Sequence, residues 1–357
     1  MSAPSALARF RAWTVAALAR FRVWRIVAPA LFRAWRFAVP ARFRAWGGAA
    51  LARFRPSRIA APPRSGLRRS AGFTSWALLS PWAISFALFG LFPFVFSLAA
   101  SFSDYSPIHA GHTRWVGLSN YGRALTDPAF WGALGNTAFF VVGTIPFTTA
   151  LALLLALAVQ PAFRGRTLFR VGFFVPSVVS IVVLSLVFKG LYAQAGPLNA
   201  ALKALGLRTP DWLLDPATAL PAIMAMDVWS ASGYYMVIFL AGLEAIPRDI
   251  YDAARLEGAT GWDCLTSITL PLLRPTLLFV LVVNTVRSLQ IFAEVFVMTR
   301  GGPLHRTTTV VYYLYEEAFY RFNLGYACAV AYLLFLLTLL LAEVQLHLVG
   351  KPAEVSR

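Results

Sequence analysis

Asp252-Ala253-Ala254-Arg255-Leu256-Glu257-Gly258, followed after nine residues by Ile268-Thr269-Leu270-Pro271, is the stretch on which the reading of this chain turns. It is a polar segment between the fourth and fifth of six long apolar segments, and a polar loop in so apolar a chain needs a reason to exist. Two alanines beside an acidic residue make a short helical surface that another protein can approach closely. Gly258 tolerates positive φ and so permits a sharp turn. Pro271 lies just before the next apolar segment. The whole reads as a docking elbow; the same residues also suit an ordinary amphipathic loop helix.

The rest of the chain is membrane-like. It has 357 residues, 59% of them hydrophobic and only 13% charged, with a mean hydropathy of +0.65. Crossing a hydrocarbon core takes about 20 apolar residues as a helix. Six stretches qualify: about 76–100, 137–160, 170–190, 219–243, 276–299 and 326–349. Backbone polar groups in lipid must be satisfied within the segment, so these are expected to be helices; a β-barrel would show short alternating segments, and none occur. The fold class expected is therefore an all-α membrane protein with six transmembrane helices.

The loop pattern resembles the EAA loop (E-A-A-x3-G-x9-I-x-L-P) of the inner-membrane permeases of binding-protein-dependent ABC importers, in particular the carbohydrate-uptake, maltose-type branch. One position departs: Asp252 stands where the pattern has glutamate, which keeps the charge with one methylene less reach. Shorter motifs extend the resemblance over roughly residues 73–350: Ser101-Phe102-Ser103-Asp104-Tyr105, Val116-Gly117-Leu118-Ser119-Asn120-Tyr121, Asp127-Pro128-Ala129-Phe130-Trp131, Asn136-Thr137, Phe174-Val175-Pro176, Asp227-Val228-Trp229 and Gly301-Gly302-Pro303. Each is weak alone; their order and spacing together are specific. The resemblance implies a MetI-like permease fold over residues 71–357. It implies a cytoplasmic coupling loop at about 244–272, in which Asp252, Ala253, Ala254, Gly258, Ile268, Leu270 and Pro271 meet an ATPase. It further implies an ATPase dimer, a second permease subunit (a similar chain or another copy) and an extracytoplasmic solute-binding protein as partners. The setting would be the bacterial inner membrane and the cargo a sugar or related solute.

The net charge of +17 is concentrated at one end. Residues 1–70 hold 15 arginines and no acidic residue, so subtracting them leaves +2 for the remainder. Phe10, Phe21, Phe32, Phe43 and Phe54 recur every eleven residues, four of them between two arginines and Phe32 followed by Arg33. An eleven-residue period matches about 3.67 residues per turn, so a helix would carry the rings as a slowly drifting stripe. Such a stripe suits an anionic membrane surface, although Pro29, Pro40 and Pro56 oppose one continuous helix. A disordered basic arm and a functionless translated repeat are the competing readings. Interleaved Phe and Trp favour lipid over nucleic acid as the partner of this tail.

Positive charge near the span ends sets orientation. The loops balance, with eight basic residues on each side, but Arg64, Arg68 and Arg69 before the first span favour a cytoplasmic amino terminus. That also places the docking loop and the carboxyl terminus in the cytoplasm.

Ionisable groups inside spans are costly and usually face a cavity or a partner. Asp227 lies in the fourth span near Trp229, whose ring could stack on a sugar. In the fifth span Arg287, Gln290 and Glu294 are spaced to share one helical face, beside Asn284. They read either as the lining of a translocation path or as a structural ion pair between Arg287 and Glu294 or with another subunit. Pro81, Pro93, Pro146 and Pro176 fall within spans, where they permit kinks.

No cofactor, metal or catalytic group is expected. The chain lacks G-x-x-x-x-G-K-[ST], so nucleotide energy would come from a partner. Cys264 falls in the loop and Cys328 in the last span, so no disulfide between them is expected. His109 and His112 have metal-like spacing but no clear third ligand. A stand-alone secondary transporter is the alternative; it predicts duplicated spans, and no convincing duplication is visible.

Overall fold

The computed structural model describes residues 78–108, 113–161 and 163–349. The tail of residues 1–70, and with it the membrane-anchor reading, lies outside them, as do His109 and His112. The chain divides into two units, Met1–Leu79 and Ser80–Arg357, and the second holds nearly all of the described helices.

Among the described residues there are helices and one isolated antiparallel bridge, Ser103 with Trp115, but no strand. The long helices are α1 (Leu78–Ser101), α3 (Pro128–Val159), α7 (Ala219–Glu244), the run Arg274–Met298 and α13 (Leu324–Val349). Shorter ones are α2 (Ser119–Thr126), α4 (Arg166–Val178), α5 (Ile181–Leu191), α6 (Pro197–Ala204) and α8 (Arg248–Leu256). Among the described residues, five helices can cross a membrane by length and composition, or six if α4 and α5 count as one span.

Most expected spans fall within a few residues of these helices, and the departures have local causes. The second begins nine residues earlier than the apolar run suggests. There Asp127 caps α3 by accepting a hydrogen bond from the Ala129 N–H at 2.9 Å, and Pro128 occupies the first helical position, where its missing donor is harmless. The third, expected as one helix over 170–190, is instead broken: α4 and α5 meet at 97°. Val179 and Ser180 are both extended, with ψ of 140° and 129°. After the break α5 packs on the segment Ala293–Met298 through Ile181 and Phe188, and Lys189 reaches the Val297 carbonyl at 3.3 Å. The fifth span is also interrupted. Helix α10 (Arg274–Leu289) stops at Gln290, and α11 (Ala293–Met298) resumes after Phe292, whose φ and ψ are −143° and −55°.

Two prolines leave their mark upstream. A π-helical turn at Ala87–Leu91 precedes Pro93, and another at Cys264–Thr269 precedes Pro271. A proline ring crowds the carbonyl four residues before it and offers no N–H to it; widening the preceding turn relieves both faults.

Three clusters of buried side chains hold the bundle. Ala152, Tyr235, Phe239, Leu243 and Val280 join α3, α7 and α10. Phe140, Ile223, Met226, Val295 and Met298 join α3, α7 and α11. Phe130, Leu289, Val310, Tyr326 and Leu334 join α3, α10, α13 and α12 (Val310–Tyr315). Helix α4 lies directly on α7 at Gly233: a Cβ there would sit 1.9 Å from the Phe173 carbonyl oxygen, so only glycine allows the two backbones to meet.

Candidate functional site

The residues singled out in the sequence fall into two groups. The docking segment forms α8, with Asp249 in its first turn and Arg255 in its last, which complements the helix dipole. No residue of α8 is buried. Asp252 and Ala253 are exposed, Ala254 is half-buried, and the Asp252 carboxylate accepts from Arg255 at 3.2 Å. Gly258 has φ of +84°; the Gly258 and Ala259 N–H groups close the helix end by donating to the carbonyls of Arg255 and Ala254 at 3.1 and 3.0 Å. The turn expected from the glycine is therefore present.

Beyond it, α9 runs through Gly261–Asp263, Cys264–Thr269 and Leu270–Leu272, so the segment before the fifth span is helical and not a plain loop. Thr260 and Asp263 cap it reciprocally. Hydrogen bonds from the Thr260 hydroxyl and N–H hold the Asp263 carboxyl below its usual value. Ile268, Leu270 and Pro271 are half-buried. The Tyr251 hydroxyl meets Thr269 Oγ1 at 2.9 Å and fastens α8 to α9. Sequence reasoning missed two exposed apolar side chains here, Leu256 (91% exposed) and Trp262 (71%). Both are signalled only by sitting in a polar segment. Next to α8 lies a cleft of about 860 Å³ bordered by Arg166, Glu244, Arg248, Asp252 and Arg255.

The second group lies near the middle of the spans. Asp227 on α7 is 3% exposed, and its Oδ1 accepts from Arg287 Nη2 at 2.8 Å. Of the readings open for the fifth span, an ion pair between Arg287 and Glu294 is not formed; Arg287 pairs instead with Asp227 on another helix, 60 residues apart in sequence. Arg287 keeps 41% of its side chain exposed. Gln290 is exposed beside it, while Glu294 is buried on α11, close enough to interact electrostatically with both Asp227 and Arg287. The break at residues 290–292 means that Arg287, Gln290 and Glu294 do not share one continuous helical face. Trp229 points away from Asp227. It is 47% exposed, lies 5.4 Å from the Phe188 ring, and borders an apolar groove of about 490 Å³ with Leu151, Phe169 and Phe173. Asn284 is fully buried; its Oδ1 accepts from Ser288, which also meets Thr144 at 3.5 Å, and its Nδ2 has no partner among the described residues.

At the end of the bundle away from α8, the carboxylate of Asp127 accepts from the hydroxyls of Tyr313 (2.6 Å) and Tyr326 (3.1 Å). Partial burial raises its pKa, but these bonds, the Ala129 N–H and the charge of Arg123 outweigh it, so Asp127 titrates below the ordinary carboxylate value. Glu317, fully buried, is held by Arg321, Asn323 and Arg123.

The pattern that defines the binding-protein-dependent transport system inner membrane component family matches residues 149–349. The chain is 34% identical to the lactose transport system permease protein LacF of Rhizobium radiobacter, over 81% of this chain and 98% of that one. It is 31% identical to the sulfoquinovosyl glycerol transport system permease protein SmoG of Agrobacterium fabrum, over 76% of this chain and 89% of that one. Its fold is similar to a crystal structure of a bacterial ABC transporter involved in the import of the acidic polysaccharide alginate, with a TM-score of 0.71 at 22% identity, covering 80% of this chain and 98% of the other.

Proposed function

Because the chain belongs to the family of binding-protein-dependent transport system inner membrane components, we propose that it forms one half of a translocation path for a sugar or glycoside, completed by a second permease subunit. The chain is a membrane-embedded permease subunit of an ABC importer and not an enzyme. The permeases for lactose, arabinooligosaccharides and sulfoquinovosyl glycerol among its relatives support a carbohydrate-like cargo.

The observation that carries the path is the Asp227–Arg287 pair. It lies well inside two membrane-spanning helices, yet Arg287 remains 41% exposed on the surface of this chain. A charged side chain facing lipid at that depth costs about 3 kcal/mol by insertion scales. The exposed edge of Arg287, with Gln290 beside it, is therefore assigned to a watery path shared with the second subunit. Glu294 and Asp227 act behind it by fixing the guanidinium, and Trp229 belongs to the neighbouring apolar wall.

Helix α8 docks in the groove of a cytoplasmic ATPase. Asp252, Ala253 and Ala254 supply its close-packing face, Leu256 an apolar anchor, Gly258 the turn, and Ile268, Leu270 and Pro271 the return to the span. Closure of the ATPase dimer on ATP moves α8 and re-orients the spans, a two-state element biased by a ligand. Both termini are placed in the cytoplasm with α8, and a solute-binding protein delivers cargo to the opposite face.

The test is labelled-sugar uptake in proteoliposomes holding this chain with its ATPase, second permease and binding protein, in a background with Cys264→Ser and Cys328→Ser. Gln290→Cys is expected to react with water-soluble thiol reagents in at least one transport state, and lactose-like disaccharides or glycosyl glycerols to be taken up with ATP. A cysteine at 290 that stays unreactive throughout the cycle removes Gln290 from the path.

A further inference from the structure

Helix α8 makes few contacts with the helices that cross the membrane; Tyr251 packs against the cluster that joins α3, α7 and α10, and the ends of α8 give its movement further routes to them. At its amino-terminal side that end is Glu244, the last residue of α7. Its Oε1 accepts from Arg170 Nη2 at 3.0 Å and from Arg166 Nη2 at 3.5 Å, both on α4. The same two guanidinium groups donate to the last carbonyls of the α3 region: Arg166 Nη1 to Gln160 at 3.1 Å and Arg170 Nη2 to Val159 at 3.5 Å. One carboxylate and two arginines thus tie together the end of α3, the start of α4 and the end of α7, just before α8 begins.

Higher up, α4 and α7 meet a second time where Gly233 touches the Phe173 backbone. Two helices fixed at two points along their length move as one body. Helix α4 is also the first arm of the span bent by 97°, whose second arm, α5, packs against α11 beside Glu294. A contiguous chain of contacts therefore leads from α8 through Glu244 to α4, across the bend to α5, and on to the interrupted fifth span.

We infer that Glu244, with Arg166 and Arg170, is a positioning clamp that conducts the stroke of α8 into the bent third span. This rests on the permease reading above. The ion pairs are half-exposed, with 54% of the Glu244 side chain and 24–30% of the two arginines accessible, so they add little to folding and their loss leaves the bundle intact. Removing the carboxylate frees α4 from α7 at the end where force enters. The ATPase still engages α8 and turns over, but the spans follow less faithfully.

The experiment uses the full importer complex in proteoliposomes, measuring binding-protein-stimulated ATP hydrolysis and labelled-solute uptake on the same sample, with co-purification of the ATPase as the assembly control. Glu244→Lys is expected to keep the ATPase bound and at least half of the hydrolysis while solute moved per ATP falls at least fivefold. Exchanging the charges, Glu244→Arg with Arg170→Glu, is expected to restore at least half of the lost coupling. An unchanged ratio of uptake to hydrolysis in Glu244→Lys overturns the clamp. So does a parallel loss of uptake, hydrolysis and bound ATPase, which would mark the site as structural, and so does failure of the exchanged pair to recover. Absence of ATP-dependent uptake in the wild-type complex would instead count against the permease reading itself.

Discussion

The two ends of this bundle are built in opposite ways. At the α8 end, the helix has no buried residue, its one ion pair is solvent-exposed, and the Tyr251–Thr269 hydrogen bond is what links it to α9. At the other end, residues 299–309 are fastened at almost every step. Asn136 Nδ2 donates to the carbonyls of both His305 and Thr308 at 2.9 Å, Thr307 donates to the Gly302 carbonyl at 2.7 Å, Thr309 donates to the Ile291 carbonyl at 3.1 Å, and Thr137 accepts from the Val310 N–H at 2.9 Å. Thr307, Thr308 and Thr309 are all buried. On the coupling proposed for α8, a part that a partner displaces is held loosely, because each internal hydrogen bond would resist the stroke. On the same reading, a part against which the helices would pivot is held tightly, because slack there would absorb the movement.

Breaking the loose end is expected to affect transport and spare the fold. Gly258→Asp forces a side chain into φ of +84°, a strain of about 1–3 kcal/mol confined to an exposed turn, and a Cβ there meets nothing within 4 Å. Membrane insertion and unfolding temperature should stay close to wild type while solute uptake falls more than about tenfold and ATP hydrolysis continues. Wild-type uptake by this variant would remove α8 from the coupling route.

Breaking the tight end should do the reverse. Asn136→Ala leaves two carbonyls of the 299–309 segment without their donor, an expected loss of about 1–3 kcal/mol in stability, read as a lower unfolding temperature in detergent. Uptake should fall only as far as the folded fraction does.

A smaller effect is expected at Asp127. Its folded-state pKa lies below the ordinary value, so its contribution to stability is present above the unfolded-state value, about 3.9, and is lost as pH falls through the lower folded value. Thermal unfolding of the wild type between about pH 6 and 3 should show that acid loss, and Asp127→Asn should flatten part of it. Identical acid limbs in the two proteins would show that the Tyr313 and Tyr326 hydrogen bonds do not favour the charged carboxylate.

Much of this was legible in the sequence because it is written in local pattern. Apolar runs place the long helices, Asp127-Pro128 marks the start of α3, and Gly258 at its spacing gives the turn after α8. What was not legible depends on partners distant in the chain. Neither Val179 nor Ser180, at the bend itself, is a glycine or proline; the 97° turn is accompanied by α5 packing onto α11. The stop at Gln290 similarly goes with a hydrogen bond from Thr309 to the freed Ile291 carbonyl. A pair between Arg287 and Glu294, seven residues apart, is one reading of the sequence, yet the helix interruption between them leaves Arg287 to Asp227. Leu256 and Trp262 escaped notice because a sequence shows hydrophobicity and not exposure.

Coupling through α8 to a separate ATPase is tested most directly by a mild-detergent purification of the tagged chain from its native membrane, wild type beside Leu256→Asp, with every co-purifying protein identified by mass spectrometry. An ATPase and a second permease are expected to accompany the wild type, and the ATPase to be lost from Leu256→Asp while the second permease stays. A wild-type chain that purifies alone and still transports after ATP depletion would contradict that coupling.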